Sequence, residues 1–163
     1  MEILDIVDQN DNIIGQAPKD DAYENKLGHR IVHVLIFNDQ KKIVLQLRSA
    51  NVSFCPLHWS TTVGGHVQAG ETYEQAAIRE YEEELCTKSK LEILGKDLYQ
   101  VKNRPDKFLM TFTSTFNGPF NPDQKVVEKV DFFSLPEIKT MIENKEKFHP
   151  ELLFILKKYF FPD

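Results

Sequence analysis

The 163-residue chain predicts an α/β fold: a mixed β-sheet with helices packed on its faces. Three observations carry this. Short β-branched and alternating runs bounded by turn residues recur along the chain, and segments with helix start signals are interspersed among them. No repeat, low-complexity tract or linker divides the sequence, so residues 1–163 are expected to form one domain. With 41% hydrophobic and 28% charged residues, the chain has the composition of a folded protein, not a disordered one.

In chain order, Ile3 to Val7 and Ile13 to Ala17 read as strands around the turn Asp8-Gln9-Asn10-Asp11-Asn12. Ile31 to Phe37 and Lys42 to Leu47 are stronger strands, separated by polar Asn38-Asp39-Gln40-Lys41. Trp59 to Val63 is a further strand, and a glycine-containing loop from Gly64 to Gly70 leads to a helix over Thr72 to Leu85. Leu94 to Val101, Phe108 to Phe116 and Val126 to Phe133 read as strands. Pro136 to Asn144 and Pro150 to Phe160 read as helices with proline in the first turn. The apolar Pro150 to Phe161 segment is expected in the core, or in part at a dimer contact, so both monomer and homodimer stay open.

Composition also bounds function. A net charge of −5 argues against nucleic-acid polymers as partners but leaves anionic small molecules open, because a bound divalent ion inverts the local field. No apolar run approaches the roughly 20 residues that span a bilayer, so no membrane partner is expected. The opening Met1-Glu2-Ile3-Leu4-Asp5 lacks the features of a secretion signal. Cys55 and Cys86 are too few for a disulfide framework, so a cytoplasmic location is expected.

The Thr72 helix is unusual in its charge. Thr72 and Gln75 have capping-box spacing at its start. Glu80, Glu82, Glu83 and Glu84 crowd its C-terminal half, where the helix dipole disfavours negative charge and like charges at i,i+3 and i,i+4 repel. At 3.6 residues per turn, Glu80, Glu83 and Glu84 fall within an arc of about 100°. Tyr73, Ala76 and Ala77 share that sector, the small residues leaving a cleft above the helix, while Ile78, Tyr81 and Leu85 form the adjacent core-facing stripe. Three hard oxygen donors suit Mg²⁺ or Mn²⁺. A solvated face is the plain alternative, since Glu is a good helix former.

The preceding loop shifts that balance. Gly65 is followed by five residues, Glu71, seven residues and then Arg79-Glu80-Tyr81-Glu82-Glu83-Glu84. This pattern resembles the Nudix box, G-x5-E-x7-R-E-U-x-E-E-x-G-U with U aliphatic. Tyr81, Cys86 and Thr87 depart from it at packing positions; Cys86 reads as a small packed residue, not a nucleophile. The resemblance implies an α/β/α sandwich around a mixed sheet. It implies a Mg²⁺- or Mn²⁺-dependent pyrophosphohydrolase, with the metal on Glu80, Glu83 and Glu84, Arg79 and Glu71 paired to orient loop and helix, and a small-molecule diphosphate as substrate. A glutamate or the metal would activate the attacking water.

Gly28-His29-Arg30, Val44 to Ser49, Cys55 to Trp59 and Val63 to His66 are similar to isopentenyl diphosphate isomerases and their hydrolase-like relatives. That isomerisation needs an acid/base pair across an allylic carbon. Gly64 stands where the isomerase pattern has its cysteine, and no carboxylate occurs between Lys107 and Gly118, where it has two glutamates. His29 and His66 match two of its metal histidines. Hydrolysis is therefore the leading reading, with an isomerase-like protein or a non-catalytic ligand-binding module as alternatives.

Gly65 and His66 in the loop and Arg48, through its forked donors, are candidate substrate-binding residues. Glu128 is a candidate distal base. His29, His33 and His58 read first as ordinary hydrogen-bonded histidines, and Trp59, Phe108 and Phe112 as packing or as walls of an apolar pocket.

Overall fold

The computed structural model describes residues 1–162 and begins with a hairpin of β1 (Ile3–Val7) and β2 (Ile13–Pro18). Its turn closes because the Asp8 carboxylate accepts from the amides of Asn10 and Asn12, at 2.8 and 3.0 Å. A short helix, α1 (Lys19–Glu24), follows and was not anticipated. Six residues are too few to show helical periodicity, and Pro18 supplies no side-chain cap.

Strands β3 (His29–Phe37) and β4 (Ile43–Arg48) form as expected. The single strand expected over Trp59 to Val63 is instead two, β5 (Trp59–Ser60) and β6 (Val63–His66). Here the chain leaves β4, the partner of β5, and crosses to β3, the partner of β6. Thr61 and Thr62 make the crossing buried, each hydroxyl donating to a carbonyl, of Val63 and Val44 respectively. Helix α2 (Tyr73–Leu85), strands β7 (Glu92–Tyr99), β8 (Lys107–Thr115) and β9 (Val127–Phe133), and helices α3 (Leu135–Glu143) and α4 (Pro150–Tyr159) complete the fold.

The sheet runs β5-β4-β3-β8-β7, with β6 also on β3 and β9 also on β4. Only the β3–β8 pairing among these strands is parallel, so the sheet is mixed. Strand alternation sorts the core into two layers. Val32, Val34 and Ile36 meet Ala76, Ala77, Tyr81 and Leu85 of α2. Leu35, Ile43 and Leu45 meet Ile138 of α3 and Leu152, Ile155 and Leu156 of α4. This is an α/β/α sandwich.

Helix α2 differs from expectation in its rotation. Ile78, placed on the core stripe by its spacing, is 36% exposed, while Ala76, Ala77, Tyr81, Glu84 and Leu85 are buried. The two alanines leave no cleft above the helix. They let it approach the sheet closely, and this turns Glu84 inward. The capping box forms, with Gln75 N donating to Thr72 Oγ1 at 3.1 Å and Thr72 N donating to Gln75 Oε1 at 3.0 Å. Thr72→Ala is expected to cost about 1 kcal/mol, read as a lower denaturant midpoint with an unchanged slope.

At the other end, Cys86 is exposed rather than packed, and its φ of 54° is left-handed. That conformation explains why the resembled motif has glycine there. Amides of Asn121 and Asp123 satisfy the carbonyls of Leu85 and Glu84, so the acidic end is tied down by a loop. Cys86→Gly is expected to stabilise the protein by about 0.5–1 kcal/mol through relief of the left-handed strain. Equilibrium urea unfolding with an unshifted midpoint would contradict this.

Candidate active site

The loop between β6 and α2 is anchored from two sides. Ala69 N donates to Ile3 O and Gly70 N to Asp5 Oδ2, which ties the loop to β1. Gly70 takes a φ of 84°, accessible to glycine at little cost. From α2, Arg79 Nε and Nη2 donate to the two oxygens of Glu71 at 2.7 and 2.8 Å, a bidentate pair. Nη2 also donates to His66 O at 3.0 Å, and Nη1 to Glu80 Oε1 at 2.9 Å. Hydrogen bonds from Arg79 hold the Glu71 carboxyl below its ordinary range, and Glu71 in turn raises the guanidinium. One side chain thus fixes the loop, the helix and a carboxylate together.

Glu80 and Glu84 are brought together on the inner side, and Glu83 meets Glu80 only at the solvent margin, where both accept from Arg79 Nη1. Burial pushes the Glu80 carboxyl up, against the opposing pull of Arg79. Glu84 is only 8% exposed, and burial, then the adjacent Glu80 charge, push its carboxyl well above the ordinary range. Its direct donor is Gln46 Nε2, at 2.6 Å, and it forms no ion pair among the described residues. Glu83 lies on the solvent side, 57% exposed, with Arg79 Nη1 at 3.3 Å. Among the described residues no three metal-binding side chains are gathered into one cluster. The backbone nonetheless makes room for the pair: a Cβ on Gly65 would lie 2.2–2.7 Å from the Glu80 carboxyl. Gly65→Ala is therefore expected to displace Glu80, lowering divalent-metal affinity about 10-fold or more, measurable by calorimetry.

Glu84 opens into a cavity of about 420 Å³, together with Gly64, Gly65 and His66. Arg48 lines it, its Nε donating to Phe54 O at 3.0 Å. His66 hydrogen-bonds the Tyr23 hydroxyl through Nε2 at 2.8 Å, and burial, then His29, lower its pKa to about 3, so it is neutral. His33 and the unanticipated Lys107, His149 and Glu151 also face the cavity. Glu151 accepts from His33 Nε2 at 2.8 Å and from Lys107 Nζ at 3.0 Å. Burial opposes the Glu151 charge, but His33 and Lys107 overcome it and hold the carboxyl far below the ordinary range.

The other candidates lie elsewhere. Glu128 is exposed on β9 and does not line the cavity. Trp59 packs edge-on against Phe133, and Phe112 belongs to the core under α2. His58 Nδ1 bonds the Pro56 carbonyl, and His29 is buried with Nδ1 on Leu27 O. Gln46 had a weak sequence signal, a polar residue at a buried position of an apolar strand. Glu151 had none: a glutamate in a first turn ordinarily serves the helix dipole.

Comparison with known proteins agrees with this architecture. The NUDIX domain family model matches residues 27–153. An uncharacterized Nudix hydrolase of Streptomyces coelicolor is 44% identical over 100 residues, 60% of this chain and 55% of that one. The chain spans about half the length of the curated Nudix hydrolases it matches, a Nostoc relative at 51% included. An isopentenyl-diphosphate Delta-isomerase of Serratia proteamaculans is 29% identical over 161 residues, 96% of this chain and 90% of that one. The crystal structure of DR0079 from Deinococcus radiodurans superposes with a TM-score of 0.86 at 23% identity, covering 98% of this chain and 99% of that one, a likeness of fold. With the family model extending over well more than half of its length, the chain belongs to the Nudix family.

Proposed function

We propose that the protein hydrolyses a diphosphate linkage in a nucleoside diphosphate-type or related small molecule, using Mg²⁺ or Mn²⁺ held by Glu80 and Glu84, with Glu83 as the exposed carboxylate beside them. The observation that carries this reading is buried Glu84 at the wall of a cavity, beside the partly buried Glu80 and with no ion-pair partner among the described residues. A buried carboxylate without a counter-charge is costly, and hard oxygen donors fit a divalent ion that would supply the missing charge.

Once bound, the cation would neutralise the diphosphate and polarise its phosphorus. Buried Glu84 and partly buried Glu80 would be its donors, and Gln46 keeps the Glu84 carboxylate oriented. Arg79, fixed by Glu71, aligns Glu80 with the loop backbone. Glu83, the exposed member, is suited to accept a proton from the attacking water as the P–O bond to the bridging oxygen breaks. Two phosphate-bearing fragments leave.

Isomerisation is the less supported chemistry despite the isomerase relatives. A Cβ on Gly64 would lie 3.1 Å from the His33 ring and 3.3 Å from Thr61 Oγ1, so the backbone here packs against His33 and leaves little room for a thiol. The test is a panel of nucleoside and isoprenoid diphosphates with each metal. Metal-dependent release of phosphate-bearing fragments is expected; no turnover of any member, or interconversion of isopentenyl and dimethylallyl diphosphate instead, would contradict the proposal.

A further inference from the structure

The cavity is cationic in a chain that is acidic overall. Lys19, Arg48, Arg104 and Lys107 line it against Asp20, Glu84 and Glu151, although the chain carries a net −5. Glu84 belongs to the metal end. The remaining two carboxylates do not balance the opposite wall.

Hydrogen bonding fixes the groups of the cavity floor. The Thr61 hydroxyl donates its one proton to Val63 O at 2.9 Å, so at 2.7 Å it can only accept from His33 Nδ1. His33 Nε2 donates to the Glu151 carboxylate at 2.8 Å. Glu151, 4% exposed, is thus held between the His33 ring and the buried Lys107 ammonium. His149 Nδ1 accepts from Glu151 N at 3.1 Å, which leaves Nε2 as its donor. Above the floor, Phe54 brings two guanidinium groups to one side. Arg48 is bonded to its carbonyl, and the Arg104 guanidinium lies 5.1 Å from its ring centroid.

With four cationic side chains against Asp20 and Glu151, this wall is predominantly positive. An apolar substrate arm would strip water from those groups and return nothing. An anionic arm would replace the water with charge-assisted hydrogen bonds. At about 420 Å³ the cavity also has room beyond a diphosphate, within the range of roughly 300–1,000 Å³ that holds drug-sized ligands.

We propose that this wall binds a second anionic group, a phosphate or carboxylate, carried on the substrate arm beyond the diphosphate that is cleaved. The inference rests on the hydrolase reading above and names its substrate class: diphosphates with a charged arm, in preference to nucleosides with neutral arms or isoprenoids.

The experiment uses matched compounds, adenosine 5′-diphosphate and adenosine 3′-phosphate 5′-diphosphate, with kcat/KM measured in Mg²⁺. Dissociation constants of their methylene-bridged analogues are measured alongside. The charged-arm member is expected to be favoured about tenfold or more in both readouts, and the Arg48→Gln/Arg104→Gln double variant to bring both ratios toward unity. Lys139→Gln, exposed on α3 away from the cavity, is expected to leave the ratios unchanged. Equal binding of the pair by the unmodified protein, or a preference that survives the double variant, would overturn the proposal. If neither compound is turned over, hydrolysis of this class fails, and the binding ratio still decides whether the wall selects an anion.

Discussion

Glu84→Gln is expected to lower kcat by about 10²–10³-fold while making the metal-free protein more stable. The two effects share one cause. Glu84 is buried beside Glu80 with only Gln46 Nε2 and a backbone amide to offset its charge. An amide keeps the shape, removes the buried charge and is expected to gain about 1–3 kcal/mol where the carboxyl would be ionised. It also removes a hard anionic donor, so the metal site fails.

The stability gain depends on pH in a defined direction. Burial and Glu80 raise the folded Glu84 carboxyl above its ordinary 4.5, so between those values the native state binds the extra proton. The contribution of this group to stability therefore falls as pH rises above about 5. Buried histidines act oppositely. His66 and His149, lowered to about 3 and about 4, are neutral when folded, so their contribution is lost as pH falls below 6.5. Both backgrounds share these histidines, and the difference in Tm between Glu84→Gln and the unmodified protein isolates the carboxyl. That difference is expected to widen from pH 5 to pH 8 without metal and to shrink when Mg²⁺ is added. A constant difference would reject the buried-charge account.

Glu151→Leu is expected to be the most damaging single change to stability, at about 3–5 kcal/mol. Glu151 pairs with His33 and with Lys107, itself only 6% exposed. Removing the carboxylate strands the Lys107 ammonium and leaves His33 Nε2 without its partner, and the loss comes from these buried groups more than from the lost attraction. Lys107→Met in the Glu151→Leu background is expected to restore much of the deficit, because it removes the stranded ammonium. Because its partners depress the Glu151 carboxyl, the cluster stabilises the fold above about pH 4.5 and loses that contribution under acid. Chemical denaturation of the single and double variants at pH 7 measures the coupling; additive losses would contradict the arrangement.

Much of the architecture was readable from sequence, and the failures have physical reasons. Strands with strong alternation and helices with capping boxes, such as Thr72/Gln75, lie within a residue or two of their expected bounds. Element α1 was missed because six residues carry no period, and β5 and β6 were fused because a partner switch leaves no trace in hydrophobicity. In the site, box spacing indicated that Glu80 and Glu84 share a face, but angular arithmetic could not show that Ala76 and Ala77 turn that face into the sheet. Glu83, on the margin of the same arc, consequently faces solvent. The cavity floor was unreadable because His33, Lys107 and Glu151 come from three distant segments, joined only by the β3–β8 register and the docking of α4.

The central claim is that the Glu80–Glu84 pair is a divalent-cation site. Calorimetric titration of Mn²⁺ into chelator-treated protein, in two buffers of different ionisation enthalpy, tests it most directly. One saturable site per chain is expected, with protons released on binding because the folded carboxyls are raised, and with binding lost in Glu84→Gln. No saturable binding to the unmodified protein, or equal affinity in the variant, would contradict the account.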